Sequence, residues 1–342
     1  QPCDDYSVCG LQSFHPPRLQ PRLVRSDNIA QHSTPGLSMH APPEVLVIDG
    51  TALLFRSFFG GVSVHSPDGV EVGAVMLSCT KIGQLIARHR PSHVAMVFDA
   101  GQKTFRNEID PRYKANRGAP PPELIPQFPC IQDACDALGF ATFSMVGYEA
   151  DDLMATLARL CREAGMGCRL VTVDKDIAQV VRDDSPSVIQ QDPYKDRSWN
   201  EAGVLERMGV PPSQVCALMA LVGDSTDNIP GVKGVGPKTA SAVVHHFGSI
   251  DAIYSGLDQI ASIPVRGAKT LGPKLAAAEA DARLALSLVT LDDAVPMGLD
   301  AQTLHQRLLW SGPEGLEADH FFDRVGFHRP LNHLRSLARA QS

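Results

Sequence analysis

The amino-acid sequence predicts an α/β fold with a parallel sheet, followed by a smaller helical subdomain. Short apolar runs of strand length, such as VLVID at 45–49 and LVTVD at 170–174, alternate with longer stretches of helical periodicity. Alternation of this kind is typical of a parallel sheet with helices on both faces. After about residue 199 the strand signals stop, and the rest reads as mostly helical with interruptions by Gly and Pro.

Each element of the first part has its own signal. Leu153, Leu157 and Leu160 recur at helical spacing. The run GYEADD before them places three carboxylates in the first turn of that helix, where the helix dipole favours negative charge. The PPPE run at 120–123 suits a helix start at about 122. These patterns predict strands at roughly 45–49, 93–98, 140–146 and 168–174, and helices near 73–89, 122–138 and 150–164.

Composition is that of a soluble protein with a sizeable core. The chain has 342 residues, which suits one large domain or two smaller ones, with 44% hydrophobic and 20% charged residues. It contains no uninterrupted apolar stretch of about 18 residues, so we expect no membrane span. Its eight cysteines include no CxxC pair, which favours reduced intracellular thiols over disulfides or a cysteine metal site.

The N-terminal segment differs from the rest of the chain. Residues 1–43 are rich in Pro, Ser, His and Arg without sustained periodicity, which predicts a disordered leader. An organelle-targeting segment is the alternative, although Asp4, Asp5 and Asp27 are untypical of one. Met39 would make a sensible start. The predicted organisation is a leader at 1–43, an α/β core at 44–198, a helical subdomain at 199–300 and an amphipathic C-terminal tail at 301–342 that packs on the body.

Nine acidic residues carry the functional prediction. Three of them close apolar runs that read as buried strands, and ligands bind at the carboxyl ends of parallel strands. Carboxylates gathered there must protonate, stay hydrated or hold cations. Oxygen ligands without His or Cys favour Mg²⁺ or Mn²⁺ over zinc. The nine are Asp49, Asp99, Glu149, Asp151, Asp152, Asp174, Asp176, Asp224 and Asp227.

These acids divide into two candidate cation sites. Hydrolysis of a phosphodiester needs a nucleophilic hydroxide and a stabilised leaving oxygen, and two divalent ions about 4 Å apart supply both. Each acid also has a plainer interpretation: Asp49 or Asp99 as a helix N-cap, and Asp174 or Asp176 as a solvated loop residue. The first predicted site holds Asp49, Asp99, Glu149 and Asp151; the second holds Asp174, Asp176 and Asp227, with Asp152 and Asp224 on the flanks or in the outer shell.

A basic segment lies near the acids in sequence. The net charge of −7 argues against a nucleic-acid binder, but the balance of positive and negative residues within each segment is more informative. Residues 101–118 are too polar to lie in the core. Two interpretations fit this segment: a solvated loop, or a mobile arch beside the metals. In the arch, Lys114 and Arg117 would hold the scissile phosphate and Tyr113 would stack on a base. The segment carries Lys103, Arg106, Arg112, Lys114 and Arg117 against Glu108 and Asp110.

A glycine-rich turn forms the third feature. The run GVKGVGPKTA at 231–240 precedes a predicted helix, whose N-terminal amides can bind phosphate. Its glycines allow a tight turn and close approach to a ligand. It resembles the hairpin of helix–hairpin–helix modules, which grip the duplex backbone without reading sequence. The candidate DNA contacts are Gly231, Lys233, Gly234, Gly236, Lys238 and Thr239, directly after GDSTDNIP at 223–230.

Five motifs in order resemble the 5′-nuclease family, chiefly its bacterial and phage 5′–3′ exonucleases, including the nuclease domain of DNA polymerase I. Flap endonucleases are more distant members. The likeness runs from about 45 to 290, and more weakly to about 335. The motifs are VLVIDGTALLFRSFF, VFDAGQKTFRNEIDPRYKANR, GYEADDLMATLA, TVDKDIAQVV and GDSTDNIPGVKGVGPKTA.

The resemblance implies a PIN-like α/β core with a parallel sheet, a helical arch near 101–118 and a helix–three-turn–helix clamp near 213–247. It also implies two-metal hydrolysis of branched or 5′-ended DNA, and it allows K⁺ on backbone oxygens near 231–236. Phe55 stands where relatives often carry Tyr, which leaves its role open. Family positions that contact the 5′ strand and scissile phosphate match Arg56, Arg106, Tyr113, Lys114 and Arg117 here, with Lys103 as a further DNA contact.

We therefore expect a monomeric, Mg²⁺- or Mn²⁺-dependent 5′–3′ exonuclease or flap endonuclease of replication or repair, acting on DNA with a 5′ single-stranded end or flap. Without a polymerase behind it, it is a stand-alone enzyme or a fragment. The alternatives are a catalytically silent DNA-binding protein and an RNA-directed nuclease of the PIN-like fold. The leader allows a plastid or mitochondrial location; otherwise cytoplasm or nucleoid is expected.

Overall fold

A computed structural model describes residues 43–340 of the chain, so nearly all of the predicted leader lies outside the described residues. One six-stranded sheet runs through its first part, in the order β3–β2–β1–β4–β5–β6. All neighbouring strands are parallel except β5 and β6, which are antiparallel. The predicted α/β class with a parallel sheet is confirmed. The strands are β1 (Glu44–Asp49), β2 (His93–Thr104), β3 (Ala141–Gly147), β4 (Gly167–Val171), β5 (Val188–Gln191) and β6 (Ser198–Trp199).

Helices surround this sheet and make up the second part. Short 3₁₀ helices occur at Asp176–Val180, Pro212–Gln214 and Leu257–Ser262. The α-helices are α1 (Gly50–Gly60), α2 (Gly73–His89), α3 (Phe105–Ile109), α4 (Gln127–Ala137), α5 (Ala150–Glu163), α6 (Glu201–Met208), α7 (Val215–Val222), α8 (Pro237–Phe247), α9 (Ile250–Ser255), α10 (Ala268–Ala277), α11 (Glu279–Val289), α12 (Ala301–Leu308), α13 (Gly315–Val325) and α14 (Arg329–Arg339).

Three boundaries differ from the sequence prediction. Strand β2 continues past Asp99 to Thr104, with an irregular register between these two residues. Strand β4 ends at Val171, because its pairing with β5 ends there. Helix α4 begins at Gln127 rather than near 122, and turns occupy the proline-rich residues before it. Asp174 consequently lies in a loop after its strand, whereas Asp99 lies within one.

Two apolar layers cover the sheet. Helices α1, α2, α4, α13 and α14 bury one face, and helices α5 and α12 bury the other. Phe322 and Leu334 of the C-terminal tail share a buried cluster with Ile82 of α2. The tail therefore completes the core of the α/β part. No helix among residues 43–340 is long and apolar enough to cross a membrane.

The helical part has its own core. Residues of α7, α8, α9, α10 and α11 form a separate buried cluster, and one residue of the basic segment, Tyr113, belongs to it. The two parts share further contacts, since α7 and the 3₁₀ helix Asp176–Val180 pack together.

The strand order places a ligand-binding crevice next to Asp49. The chain moves from β1 to β2 and then β3 on one side, and returns to β4 on the other side of β1. In open α/β sheets, ligands bind at the carboxyl ends of the strands where the order reverses in this way. Asp49 is the last residue of β1, so it stands at this position.

Candidate active site

Asp49 is fixed at the centre of the acidic cluster. Its Oδ1 accepts a hydrogen bond from the Ala52 N–H at 2.8 Å, so it caps helix α1, and Thr172 Oγ1 donates to Oδ2 at 3.0 Å. Burial, together with repulsion from Asp99 and Asp174, raises the pKa of Asp49 to about 7. The residue thus caps a helix and also belongs to the cluster, and the two interpretations of Asp49 do not exclude each other.

Three further acids of the cluster also have raised pKa values. Burial raises the pKa of Asp99, despite a hydrogen bond from the Ala150 N–H at 2.9 Å, and repulsion from Glu149 adds to the shift. Burial and repulsion by Asp174 raise the pKa of both Asp151 and Asp176 well above the ordinary value. Mutual perturbation of this kind shows that these carboxylates lie close together.

Two carboxylate oxygens of this group are buried without a hydrogen-bond partner among the described residues: Oδ1 of Asp151 and Oδ1 of Asp176. Buried polar atoms are normally satisfied, and an unpaired one calls for an unseen partner. Asp174 is exposed at the mouth of the cluster and accepts a hydrogen bond from the Asp176 N–H at 2.9 Å. Within residues 43–340, no ion pair reaches Asp49, Asp99, Asp151, Asp174 or Asp176.

The remaining acids are paired with cations. Glu149 Oε1 accepts from Lys114 Nζ at 3.0 Å, and Asp227 pairs with Arg117. Asp224 pairs with Lys175 at 2.5 Å. Burial alone would raise the pKa of Asp224, but hydrogen bonds from Lys175 and from a backbone N–H outweigh it and the pKa is lowered. The cluster is therefore split into an unpaired group and a paired group.

Arg106 and Asp152 form a buried ion pair behind the cluster. Arg106 Nη1 and Nη2 each lie 2.7 Å from an oxygen of Asp152, and the side chains are 1% and 0% exposed. Arg106 also donates to the carbonyls of Leu288 and Thr290. The structure does not place Arg106 for the expected contact with the scissile phosphate, because its N–H donors are bonded within the protein and its side chain is buried. Asp152 likewise has both oxygens occupied, which places it outside the open part of the cluster.

Tyr113 also differs from its expected role. The residue is 4% exposed and packs in the core of the helical part, so its ring is not available to stack on a base. Its hydroxyl donates to Glu149 Oε2 at 3.1 Å. The hydrogen bond orients a carboxylate of the cluster, and Lys114 Nζ lies over the same ring at 5.0 Å. Tyr113 is thus a positioning residue.

The basic segment is docked on the loop that follows α7. Residues 101–118 comprise the end of β2, helix α3 and a series of turns. The Lys114 N–H donates to the carbonyl of Asp227 at 2.9 Å, and Asn116 Nδ2 donates to the carbonyl of Ser225 at 2.9 Å. Asn228 Nδ2 returns a hydrogen bond to this segment at 2.8 Å. These contacts, together with their ion pairs to Glu149 and Asp227, hold Lys114 and Arg117 at the edge of the acidic cluster.

The glycine-rich turn is built by close backbone contacts. At Gly231, a Cβ would clash with the carbonyl of Val222, and Gly234 has a φ of +81°. Both positions therefore require glycine. Lys233 and Lys238 are exposed, and helix α8 begins directly after Gly236 with a proline at its first position. The geometry resembles a phosphate-gripping hairpin, with exposed cations at the positive N-terminal end of a helix.

Several contributors to the site were not predicted. Thr172 and Lys175, which contact Asp49 and Asp224, lie within the LVTVD and TVDKD runs, next to acids that were chosen. A loop with the sequence QDPYKDRSW at 191–199 lines the crevice beside Asp49 and adds cations and aromatic rings. Its alternation of basic and aromatic residues was the available signal. Of the predicted DNA contacts, Arg56 lines the same crevice, and Lys103 is exposed on the extension of β2.

The donor set suits a hard divalent cation. Among the described residues, no three His, Cys, Asp or Glu side chains form a ready-made metal cage. Asp151 and Asp176 nevertheless each have a buried oxygen without a hydrogen-bond partner, and their raised pKa values indicate that the protein alone does not stabilise the charged form of either carboxyl group. A set of carboxylate oxygens without His or Cys is typical of protein sites for Mg²⁺ and Mn²⁺. The residues therefore fit the predicted cation chemistry.

Most of the chain matches two models of one protein family. Residues 44–209 match the family model described as 5′–3′ exonuclease, N-terminal resolvase-like domain, and residues 210–309 match 5′–3′ exonuclease, C-terminal SAM fold. The chain belongs to the 5′–3′ exonuclease family. The resemblance drawn from the five motifs is thereby confirmed.

Individual relatives agree with this membership. A 5′–3′ exonuclease of Bacillus subtilis is 38% identical over 221 residues, covering 63% of this chain and 74% of that protein. DNA polymerase I of Rhizobium leguminosarum is 37% identical over 268 residues, or 76% of this chain. The chain spans only 26% of the length of that polymerase.

A solved structure shows the same fold. The bacteriophage T5 flap endonuclease, in a complex with DNA and metal ions, superposes with a TM-score of 0.60 at 22% identity. The match covers 87% of this chain and 99% of that chain. The combination of an α/β nuclease core with a helical second part is therefore shared by this exonuclease-family chain and the phage protein.

Proposed function

We propose that this member of the 5′–3′ exonuclease family hydrolyses phosphodiester bonds of DNA at or near a 5′ single-stranded end or flap. The observation that carries the proposal is the division of the acidic cluster. Asp49, Asp99, Asp151, Asp174 and Asp176 have no cationic partner among the described residues, whereas Lys114 and Arg117 pair with acids at the edge of the cluster. Carboxylates without cationic partners suit divalent cations, and the neighbouring basic groups suit a substrate that is itself an anion.

The unpaired acids are the residues that would hold two divalent cations, Mg²⁺ or Mn²⁺. When bound, such ions supply a nucleophile at neutral pH and neutralise charge that develops on the phosphate. The chain itself contributes fixed ligand positions. Asp49 is held by the Ala52 N–H and by Thr172, and Asp99 is held by the Ala150 N–H, so neither carboxylate must be ordered on binding.

Lys114 and Arg117 would contact the phosphate. Each pairs with an acid at the edge of the cluster, and Arg117 keeps half of its side chain exposed. A phosphate entering the cluster would offer both cations a second anionic partner, and cationic groups aimed at a reacting phosphate lower the barrier electrostatically. The turn at 231–236 and the start of α8 would hold the duplex through its backbone.

A labelled DNA with a 5′ flap tests this proposal directly. Wild-type protein with Mg²⁺ should release a short 5′-labelled product, and EDTA should prevent the release. Asp174→Asn should abolish cleavage while DNA binding stays measurable in a gel-shift assay. Asp323→Asn, an exposed acid on α13, is the matched control and should cut like wild type. Cleavage by Asp174→Asn at near wild-type rate would contradict the assignment of the acids.

The same assay separates the rival functions. A matched flap made of RNA should be cut far more slowly, since the glycine turn and α8 suit a DNA duplex clamp. Preferential cutting of RNA would favour an RNA-directed nuclease, and binding without any cutting would favour a silent DNA-binding protein. Binding of K⁺ by backbone oxygens at 231–236 and a monomeric state are further proposals, which potassium-dependent duplex binding and sedimentation would test.

A further inference from the structure

A second feature of the crevice lies outside the acidic cluster. A cleft of about 310 Å³ opens between α1, the end of β4 and the loop at 192–199. Asp49 forms part of its wall, so the cleft adjoins the acids directly. Its volume is at the lower end of the range of small-ligand pockets, about 300–1,000 Å³. A space of this size suits one nucleotide unit rather than several.

The cleft is strongly basic. Arg56, Lys195, Arg197 and Arg207 line it against only two acids, Asp49 and Asp192.

Asp192 is turned towards its own loop. Its Oδ1 accepts the N–H groups of Tyr194 and Lys195 at 2.8 and 3.1 Å, and the residue is 6% exposed. The acid therefore shapes the loop, while the cations remain free to face a ligand. Arginine guanidinium groups match phosphate oxygens in pairs, so the expected ligand carries a phosphate.

Arg207 is oriented in advance of any ligand. Its guanidinium lies 4.4 Å from the centre of the Trp199 ring. It also donates to Gln190 Oε1 at 3.3 Å and to the carbonyl of Val173 at 3.4 Å. A side chain that is already ordered loses little further entropy when it binds an anion. These contacts distinguish Arg207 from an ordinary solvated arginine on the surface.

Tyr194 supplies an aromatic side to the same cleft. Its ring is 38% exposed, and Arg56 and Lys81 lie 5.5 and 5.2 Å from its centre. Aromatic rings beside cations are a common arrangement for holding a base together with its phosphate. The cleft thus offers separate surfaces to the two ends of a nucleotide.

We propose that this cleft binds a 5′-nucleoside monophosphate, the smallest product of cleavage at a 5′ end. Arg197 and Arg207 contact its phosphate, and Tyr194 contacts its base. The inference rests on the proposed function for the origin of the nucleotide. It adds a product site that lies beside the acids and is formed by residues of the 192–207 region.

Calorimetric titration of the full chain with thymidine 5′-monophosphate, in buffer with EDTA, tests the cleft without any cleavage. The wild type should bind the nucleotide and bind thymidine much more weakly. Loss of one charged hydrogen-bonding partner of the phosphate should weaken binding about tenfold or more in Arg197→Ala and in Arg207→Ala. Tyr194→Leu should weaken binding of the nucleotide but not of inorganic phosphate.

The control is Arg324→Ala, because Arg324 also lies over an aromatic ring, Phe321, at 5.2 Å but stands on α13. It should bind the nucleotide like wild type. Arg207→Lys keeps a cation over Trp199, so it provides a folded variant if the alanine variant is unstable. Unchanged nucleotide affinity in both Arg197→Ala and Arg207→Lys would overturn the inference, even in a protein that cuts flap DNA. A protein that binds the nucleotide through these residues but cuts no DNA would instead overturn the proposed function.

Discussion

Replacing Asp152 by Asn should destabilise the protein through a single buried charge. Asp152 is fully buried, and its two oxygens accept four hydrogen bonds. Two come from Arg106 at 2.7 Å, one from the Glu149 N–H at 3.0 Å and one from the Asp292 N–H at 2.9 Å. Asparagine keeps the shape but has one acceptor oxygen, and its amide group would face donors.

The size of the effect follows from what remains after the change. Arg106 is 1% exposed, so its cation would stay buried, with two backbone carbonyls and the more distant Glu149 Oε2, at 3.6 Å, as its remaining partners. Breaking a buried ion pair by removing one partner costs about 3–5 kcal/mol. Adding Arg106→Met to Asp152→Asn should recover part of this loss, because the double variant no longer buries a cation that has lost its two-pronged partner. A non-additive result of this kind is the signature of a direct interaction.

Urea unfolding followed by circular dichroism measures the loss. Asp319→Asn is the matched control, since Arg335 binds Asp319 in the same two-pronged way at 2.6 and 2.9 Å but at the surface of the tail. The control should shift the midpoint far less than Asp152→Asn. Equal shifts in the two variants would refute the reasoning. So would a double variant whose loss equals the sum of the single losses.

Three further predictions concern other parts of the molecule. Burial raises the pKa of Asp49 from 3.8 to about 7, so between these pH values the folded metal-free protein holds a proton that the unfolded chain releases. The free energy of unfolding should therefore fall as the pH rises from about 4 to 7. Asp49→Asn should reduce this pH dependence in urea titrations. Gly231→Ala should lower the melting temperature and weaken duplex binding, because its Cβ would meet backbone atoms. Gly60→Ala, at the end of α1 with nothing within 4 Å of the added Cβ, should change neither property in calorimetry and gel-shift assays. Fusing residues 1–43 to a fluorescent reporter separates the two interpretations of the leader: import into a plastid or mitochondrion would support the targeting alternative, and a diffuse cytosolic signal would count against it.

Much of the site could be predicted because it depends on short-range order. Asp49 and Asp99 end apolar runs, and a parallel sheet brings such ends to one edge. Glu149 and Asp151 begin a helix with a clear periodic pattern. The sequence therefore places each acid on its element, even where the element ends a few residues away from its predicted boundary, as at Asp174.

Burial of the basic segment could not be predicted in the same way. Arg106 lies in a polar run, yet it bonds to the carbonyl of Leu288, 182 residues further along the chain. Tyr113 packs among helices of the second part. Local composition predicts that both residues are exposed, and only the packing of the helical part on the sheet reverses this. The residues on which local pattern and tertiary packing disagree are those that join the two parts.

The pairing of charges explains how one protein tolerates this cluster before metal ions and DNA arrive. Lys114, Arg117 and Lys175 offset the acids at the edge, and their partners are Glu149, Asp227 and Asp224. The acids in the middle have no such partner. Burial, together with repulsion by neighbouring carboxylates, raises the pKa values of Asp49, Asp99, Asp151 and Asp176. If basic residues had neutralised the whole cluster, it would be more stable but could not attract cations. The edge pairs therefore limit the electrostatic cost of the site, while its centre keeps carboxyl groups that divalent ions can bind with release of their protons.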